Sequence, residues 1–209
     1  MFMVIKLFTL CLAFFFDAPE DINPLEAFDP VWKDAKYRAC NTAKNTRYLT
    51  PKEKEVIYVL NLARQYPQQF NQTIVKPWPG KRKRPHLMEN SYYLSLQADL
   101  AKMRPAPLLR PDSTAWVSAQ CHALTSGKMG YTGHDRQTAA CKAKERFDGE
   151  CCHYGSNNAL NIIMSLLIDD GVPSLGHRFI LLRENYKGIG VSIQPHATYD
   201  FNTVLNLTF

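Results

Sequence analysis

From Thr50 onward, apolar residues recur at helical spacing, with Val56, Val59, Leu60 and Ala63 forming one stripe. Thr50 can cap that helix, Pro51 suits its first position, and Glu53 stands three residues after the cap. The pattern predicts a helix that Pro67 closes. Residues 92–103 repeat the signature through Leu96 and Leu100, before Pro105, Pro107 and Pro111 break it. A third helix is predicted after Asp112 or Ser113, with Ala115, Ala119, Ala123 and Leu124 turned inward. A fourth follows a cap at Asn157 or Asn158. Its apolar face is Leu160, Ile163, Met164 and Leu167, and Asp169, Asp170 and Gly171 end it. The pattern then changes to short runs rich in β-branched and aromatic residues, predicting strands at 188–193 and 204–209. No internal repeat is present. Helices flanking a small sheet make an α/β layered domain.

Between these elements lie three irregular stretches. The segment ahead of Thr50 carries Pro19, Pro24 and Pro30 among mixed charges and reads as an irregular lead-in over 19–49. Residues 76–85 read as an exposed basic loop. Gly127, Gly130 and Gly133 punctuate a turn-rich stretch that delivers His134.

Composition narrows the picture. With 209 residues, 45% of them hydrophobic, the chain suits one globular domain and excludes wholesale disorder. The net charge of +6 is concentrated at Lys81, Arg82, Lys83 and Arg84. Basic residues are not interleaved with aromatics over a groove, so no nucleic-acid partner is expected. At the N-terminus, Lys6 precedes an apolar stretch over 7–16 and Asp17 opens an acidic one. This is a secretory signal pattern over 1–18, too short to span a bilayer as a helix. It implies a secreted, periplasmic or cell-surface protein with no other transmembrane segment; an uncleaved N-terminal anchor is the alternative. Beyond Cys11 stand Cys40, Cys121, Cys141, Cys151 and Cys152, an odd number that leaves at least one thiol free or paired between chains. Cys141 with Cys151 or Cys152 would close a short loop near His134. No CxxC pair, HExxH or Gly-x-Ser-x-Gly element occurs.

Four segments in order carry a family resemblance. Asn61-Leu62-Ala63-Arg64 with Pro67 and Phe70 is the first, and Ala119-Gln120-Cys121-His122-Ala123 with the later His134 is the second. Gly149-Glu150-Cys151 is the third. The fourth runs from Leu167 to Pro173, then Gly176-His177-Arg178, Leu181-Leu182 and Gly188-Ile189-Gly190-Val191. Together they resemble a bacterial domain of the CAP type (cysteine-rich secretory, antigen 5, pathogenesis-related), covering about 50–209. Cys151 stands where the family's Gly-Glu-Asn element has Asn. The resemblance implies a three-layer α-β-α sandwich with a small, mainly antiparallel central sheet. It also implies a cleft where His134, His177, Glu150 and a second acid gather. Asp170 is the candidate for that acid, although full family tetrads place a Glu farther ahead of the last His.

Two imidazoles with carboxylates suit a divalent cation such as zinc, with His134 and His177 as the ligands; a metal-free hydrogen-bonded cluster suits the same residues. The expected function is a binding or effector module for a small molecule, lipid or cell-wall component. The alternative is a hydrolase. In that reading Cys151 or Cys152 is the nucleophile, His177 the base and Asp169 or Asp170 its orienter; a metal-dependent hydrolase is the other form. His122 reads as packed helix, His153 as cover for a disulfide, and His86 and His196 as exposed loop residues. The Asn-x-Thr sequons at Asn71 and Asn206 matter only in a eukaryotic secretory pathway.

Overall fold

The computed structural model describes residues 22–209. The signal segment expected at 1–18 lies outside the described residues. Eight α-helices and four strands are present among them: α1 (Pro51–Gln65), α2 (Pro67–Phe70), α3 (Trp78–Lys81), α4 (Ser91–Lys102), β1 (Arg110–Pro111), α5 (Ser113–Met129), α6 (Ala139–Ala143), β2 (Gly149–Tyr154), α7 (Ala159–Ile168), α8 (Gly176–Leu182), β3 (Gly188–Pro195) and β4 (Phe201–Thr208). The sheet order is β1-β3-β4-β2. β1 runs parallel to β3, and the β3–β4 and β4–β2 pairs are antiparallel, so the sheet is mixed and mainly antiparallel.

The caps read from the sequence form as hydrogen bonds. Thr50 and Glu53 make a reciprocal capping box on α1. Asp112 caps α5 and Asn158 caps α7. α5 covers one face of the sheet, while α1, α7 and α8 pack on the other. Alternation along β4 shows the two faces. Leu205 and Leu207 enter the main core with Ile189 and Val191, whereas Val204 packs against Ala119 and Ala123 of α5. α5 approaches the sheet closely: a Cβ on Gly190 would sit 2.1 Å from the Trp116 nitrogen, and one on Gly127 2.2 Å from the Pro195 carbonyl oxygen. Leu124, expected inward, is on the outer side of α5 and exposed. β2 is an edge strand that periodicity did not predict.

The lead-in at 22–49 contains no long helix, only short 3-10 turns at Pro30–Lys33 and Ala35–Cys40. It is nonetheless packed: Leu25, Trp32, Tyr37, Cys40, Ala43 and Leu49 all join the main core. Its attachment runs through the Asn-x-x-Arg element. Asn61 Nδ2 donates to the carbonyls of Cys40 and Leu109, and its Oδ1 accepts from the Leu109 N–H. Arg64 is fully buried, and its guanidinium donates to the carbonyls of Pro107, Leu181, Arg183 and Tyr186. These two side chains satisfy loop carbonyls that would otherwise be stranded in the core. Arg178 does the same from within α8, donating to the Leu167 and Ile168 carbonyls and to Asp99.

Candidate functional site

The candidate residues are arranged around β2. Residues alternate across this strand, so Glu150 and Cys152 point toward α5 while Cys151 and His153 point the other way. Each face meets its own histidine.

On the α5 face, the helix ends at Gly130 with φ of 67° and the chain turns again at Gly133 with φ of 124°, conformations that favour glycine. Two bonds fix this turn: the Gly133 N–H donates to Tyr154 Oη at 2.9 Å, and its carbonyl meets His122 Nε2 at 3.0 Å. The loop then delivers His134 and Arg136. His134 Nδ1 lies 3.0 Å from Glu150 Oε1. Arg136 grips the same carboxylate from Nη1 at 3.0 Å and Nη2 at 2.6 Å. Asn206 stands opposite Glu150 in the sheet register. The hydrogen-bond pattern orients its amide so that Nδ2 donates to Glu150 Oε2 at 2.8 Å and the oxygen accepts from Ser118. Burial alone would push the Glu150 carboxyl up; His134 and Arg136 outweigh it and hold it below the usual value. The same hydrogen bond raises His134, whose side chain is 57% exposed. Glu150 is thus a buried anion presented through a partly open imidazole.

His122 and Cys152 complete this face. His122 is fully buried, and burial pushes its pKa down, keeping the ring neutral. Potential ligand atoms of His122, Glu150 and Cys152 all lie within 4.8 Å of one another. Cys152 Sγ is also 3.8 Å from His134 Nδ1.

On the opposite face, His177 sits in the first turn of α8 and its Nδ1 is 2.7 Å from Asp169 Oδ1. Asp169 ends α7 in a left-handed conformation, and its second oxygen accepts the His177 N–H. Asp170 does not contact His177: its carboxylate accepts from Asn90 at 3.0 Å and lines a groove. That groove, of about 550 Å³, is bounded by Trp78, Arg82, Arg84, His153, Tyr154 and Asn161, among others. His153 faces it with Nδ1 buried and unpartnered. Burial, with His177 nearby, pushes the His153 pKa down to about 4.

The structure therefore brings His134 to Glu150 and His177 to Asp169. Among the described residues no contact joins the two pairs, which approach β2 from opposite faces. The cysteine expectation needs correction. Cys141 pairs with Cys121, not with Cys151 or Cys152, across a Cα–Cα distance of 5.5 Å. Cys151 and Cys152 are free, buried, and directed to opposite faces by the strand alternation. The bond joins α5 to α6 and closes the chain around the loop carrying His134. His153 consequently covers no disulfide. His196 is buried rather than exposed, with Nδ1 accepting from the Thr198 and Tyr199 N–H groups.

Sequence reasoning missed Arg136 and the place of His153 in the groove, and it left Asp169 and Asp170 as alternative partners of His177, of which the structure pairs Asp169. Arg136 stands two residues after His134 with no motif to mark it, whereas Asp169 was visible in the Asp-Asp-Gly run. No family model, curated protein or solved structure matches this chain. The site must be read from its own chemistry. Among the described residues, no helix is long and apolar enough to cross a membrane. The Cys121–Cys141 disulfide fits an oxidising compartment.

Proposed function

We propose that this chain is a secreted, CAP-type binding module that holds a small anionic, hydroxyl-rich ligand, such as a charged cell-wall sugar fragment, in the groove beside His153. The observation that carries the reading is the groove wall itself. Arg82 and Arg84 supply positive charge, Trp78 aromatic surface, and Ser156, Asn161 and Ser165 short polar groups. The Arg82 guanidinium lies 4.8 Å from the Trp78 ring centre, leaving its planar edge to meet a carboxylate or phosphate. His153 adds a neutral imidazole to the wall. These features favour a polar anion over a sterol or acyl chain. The ordered CAP-like segments, with Asn61, Arg64 and Arg178 in structural roles, support the family assignment. The N-terminal signal pattern and the disulfide support export.

Cysteine hydrolysis has no comparable support. Burial raises the thiol pKa of Cys151 and of Cys152, keeping both protonated. Cys151 faces the backbone carbonyl of His177, at 3.8 Å, rather than its ring.

Calorimetric titration with a galacturonate trimer and a neutral glucose trimer tests the reading. The charged trimer binds wild type, the neutral one binds at least tenfold more weakly, and the Arg82→Ala, Arg84→Ala double variant loses the preference. Equal binding of both sugars, or no effect of the double variant, would contradict it.

A further inference from the structure

The α5 face of β2 holds a second cluster that the groove does not use. Four side chains with different donor atoms converge there: imidazole nitrogens of His122 and His134, a carboxylate oxygen of Glu150, and the sulfur of Cys152. We propose that these four side chains form a binding site for a zinc-type divalent cation, separate from the ligand groove.

The spacing fits. Zinc–nitrogen bonds of about 2.0 Å and zinc–sulfur bonds of about 2.3 Å put tetrahedral ligands roughly 3.3–3.6 Å apart. Here His134 Nδ1 is 3.0 Å from Glu150 Oε1 and 3.8 Å from Cys152 Sγ. The corresponding atoms of His122, Glu150 and Cys152 stay within 4.8 Å.

Outer contacts already orient the donors. One nitrogen of His122 is held by the Gly133 carbonyl, the type of contact that fixes a ligating imidazole, while its Nδ1 is buried without a partner. That ring is fully desolvated and keeps an unused lone pair. Glu150 retains Arg136 on Oε2 when Oε1 turns to a cation, so the carboxylate stays neutralised and anchored. Binding expels the Cys152 thiol proton, which leaves to solvent beside the exposed His134 ring, and the Nδ1 proton that His134 directs at Glu150 leaves with it or moves to Nε2. The Cys121–Cys141 bond holds the loop that presents His134, so one ligand is carried by a segment braced against movement. The donor set differs from a His134–His177 pair, since His177 is engaged on the other face of the strand.

Cobalt(II) added to the full, oxidised chain tests the site, because a thiolate–cobalt bond produces a near-ultraviolet charge-transfer band. Wild type and Cys151→Ser show the band, and zinc displaces it. Cys152→Ser abolishes the band, and His122→Gln weakens cobalt binding at least tenfold. A wild type without the band overturns the proposal, whatever the folding of the variants. So does a band that survives Cys152→Ser, or one lost in His177→Ala, which would place the cation on the histidine pair instead.

Discussion

His153 carries the clearest acid response in the chain. The ordinary imidazole value is near 6.5, and burial lowers it to about 4 in the fold. As pH falls below 6.5 the unfolded chain binds a proton that the native ring refuses. Stability from this residue is therefore complete above 6.5 and lost as pH drops toward 4, over a span worth about 3 kcal/mol. His134 acts in the opposite direction. Its raised value gives stability that is present below 6.5 and fades as pH rises through the folded value. Urea midpoints of wild type and His153→Gln at pH 7 and pH 4.5 separate the two effects. The variant is expected to lose less stability on acidification than wild type; equal losses would remove His153 as the cause. At this scale the sequence was informative where a residue's role is set by its neighbours in the chain. Motif context named His134, Glu150 and His177 but joined them in one cleft, whereas the structure pairs His134 with Glu150 and His177 with Asp169 on opposite faces of β2. It was silent where partners come from distant elements, as with Asn206 on Glu150 or Ser95 on Arg178.

Helices were more legible than strands because their signals are local. Thr50, Asp112 and Asn158 announce helix starts through side chains that bond to backbone two or three residues on. β2 gave no such signal. It is covered on both faces, so its residues are nearly all buried and no alternation of polar and apolar types marks it. Its polar members, Glu150 and His153, are tolerated inside by the specific surroundings described above. The disulfide was also illegible, because Cys121 faces Cys141 only after the loop between α5 and α6 has folded back. Replacing both cysteines by serine should cost about 3 kcal/mol for a loop of 20 residues. Calorimetric unfolding checks that loss, and amide exchange should accelerate most between Gly130 and Thr138. Uniform acceleration across the sheet would show that the bond braces the whole domain rather than this loop.

For the whole molecule, the layered α/β architecture followed from the order of helix and strand patterns. The packing of the lead-in did not. Leu25, Trp32, Tyr37 and Cys40 have no common period, and Pro24 and Pro30 suggest a loose segment, yet all four close one side of the core. Trp32 is fully buried, packs against Tyr37 and Phe70, and donates from Nε1 to Thr73. Trp32→Ala should destabilise the domain by about 3–5 kcal/mol in urea unfolding. A loss below about 1 kcal/mol would show the lead-in to be dispensable. The same architecture sets two polar sites back to back across β2, each with its own histidine. On the proposed reading, the small ligand belongs to the His153 side of β2. Histidine ring resonances recorded while a galacturonate trimer is added test this most directly. The His153 signals are expected to move and saturate while those of His134 stay in place; movement of His134 with His153 unchanged would contradict a ligand in the groove.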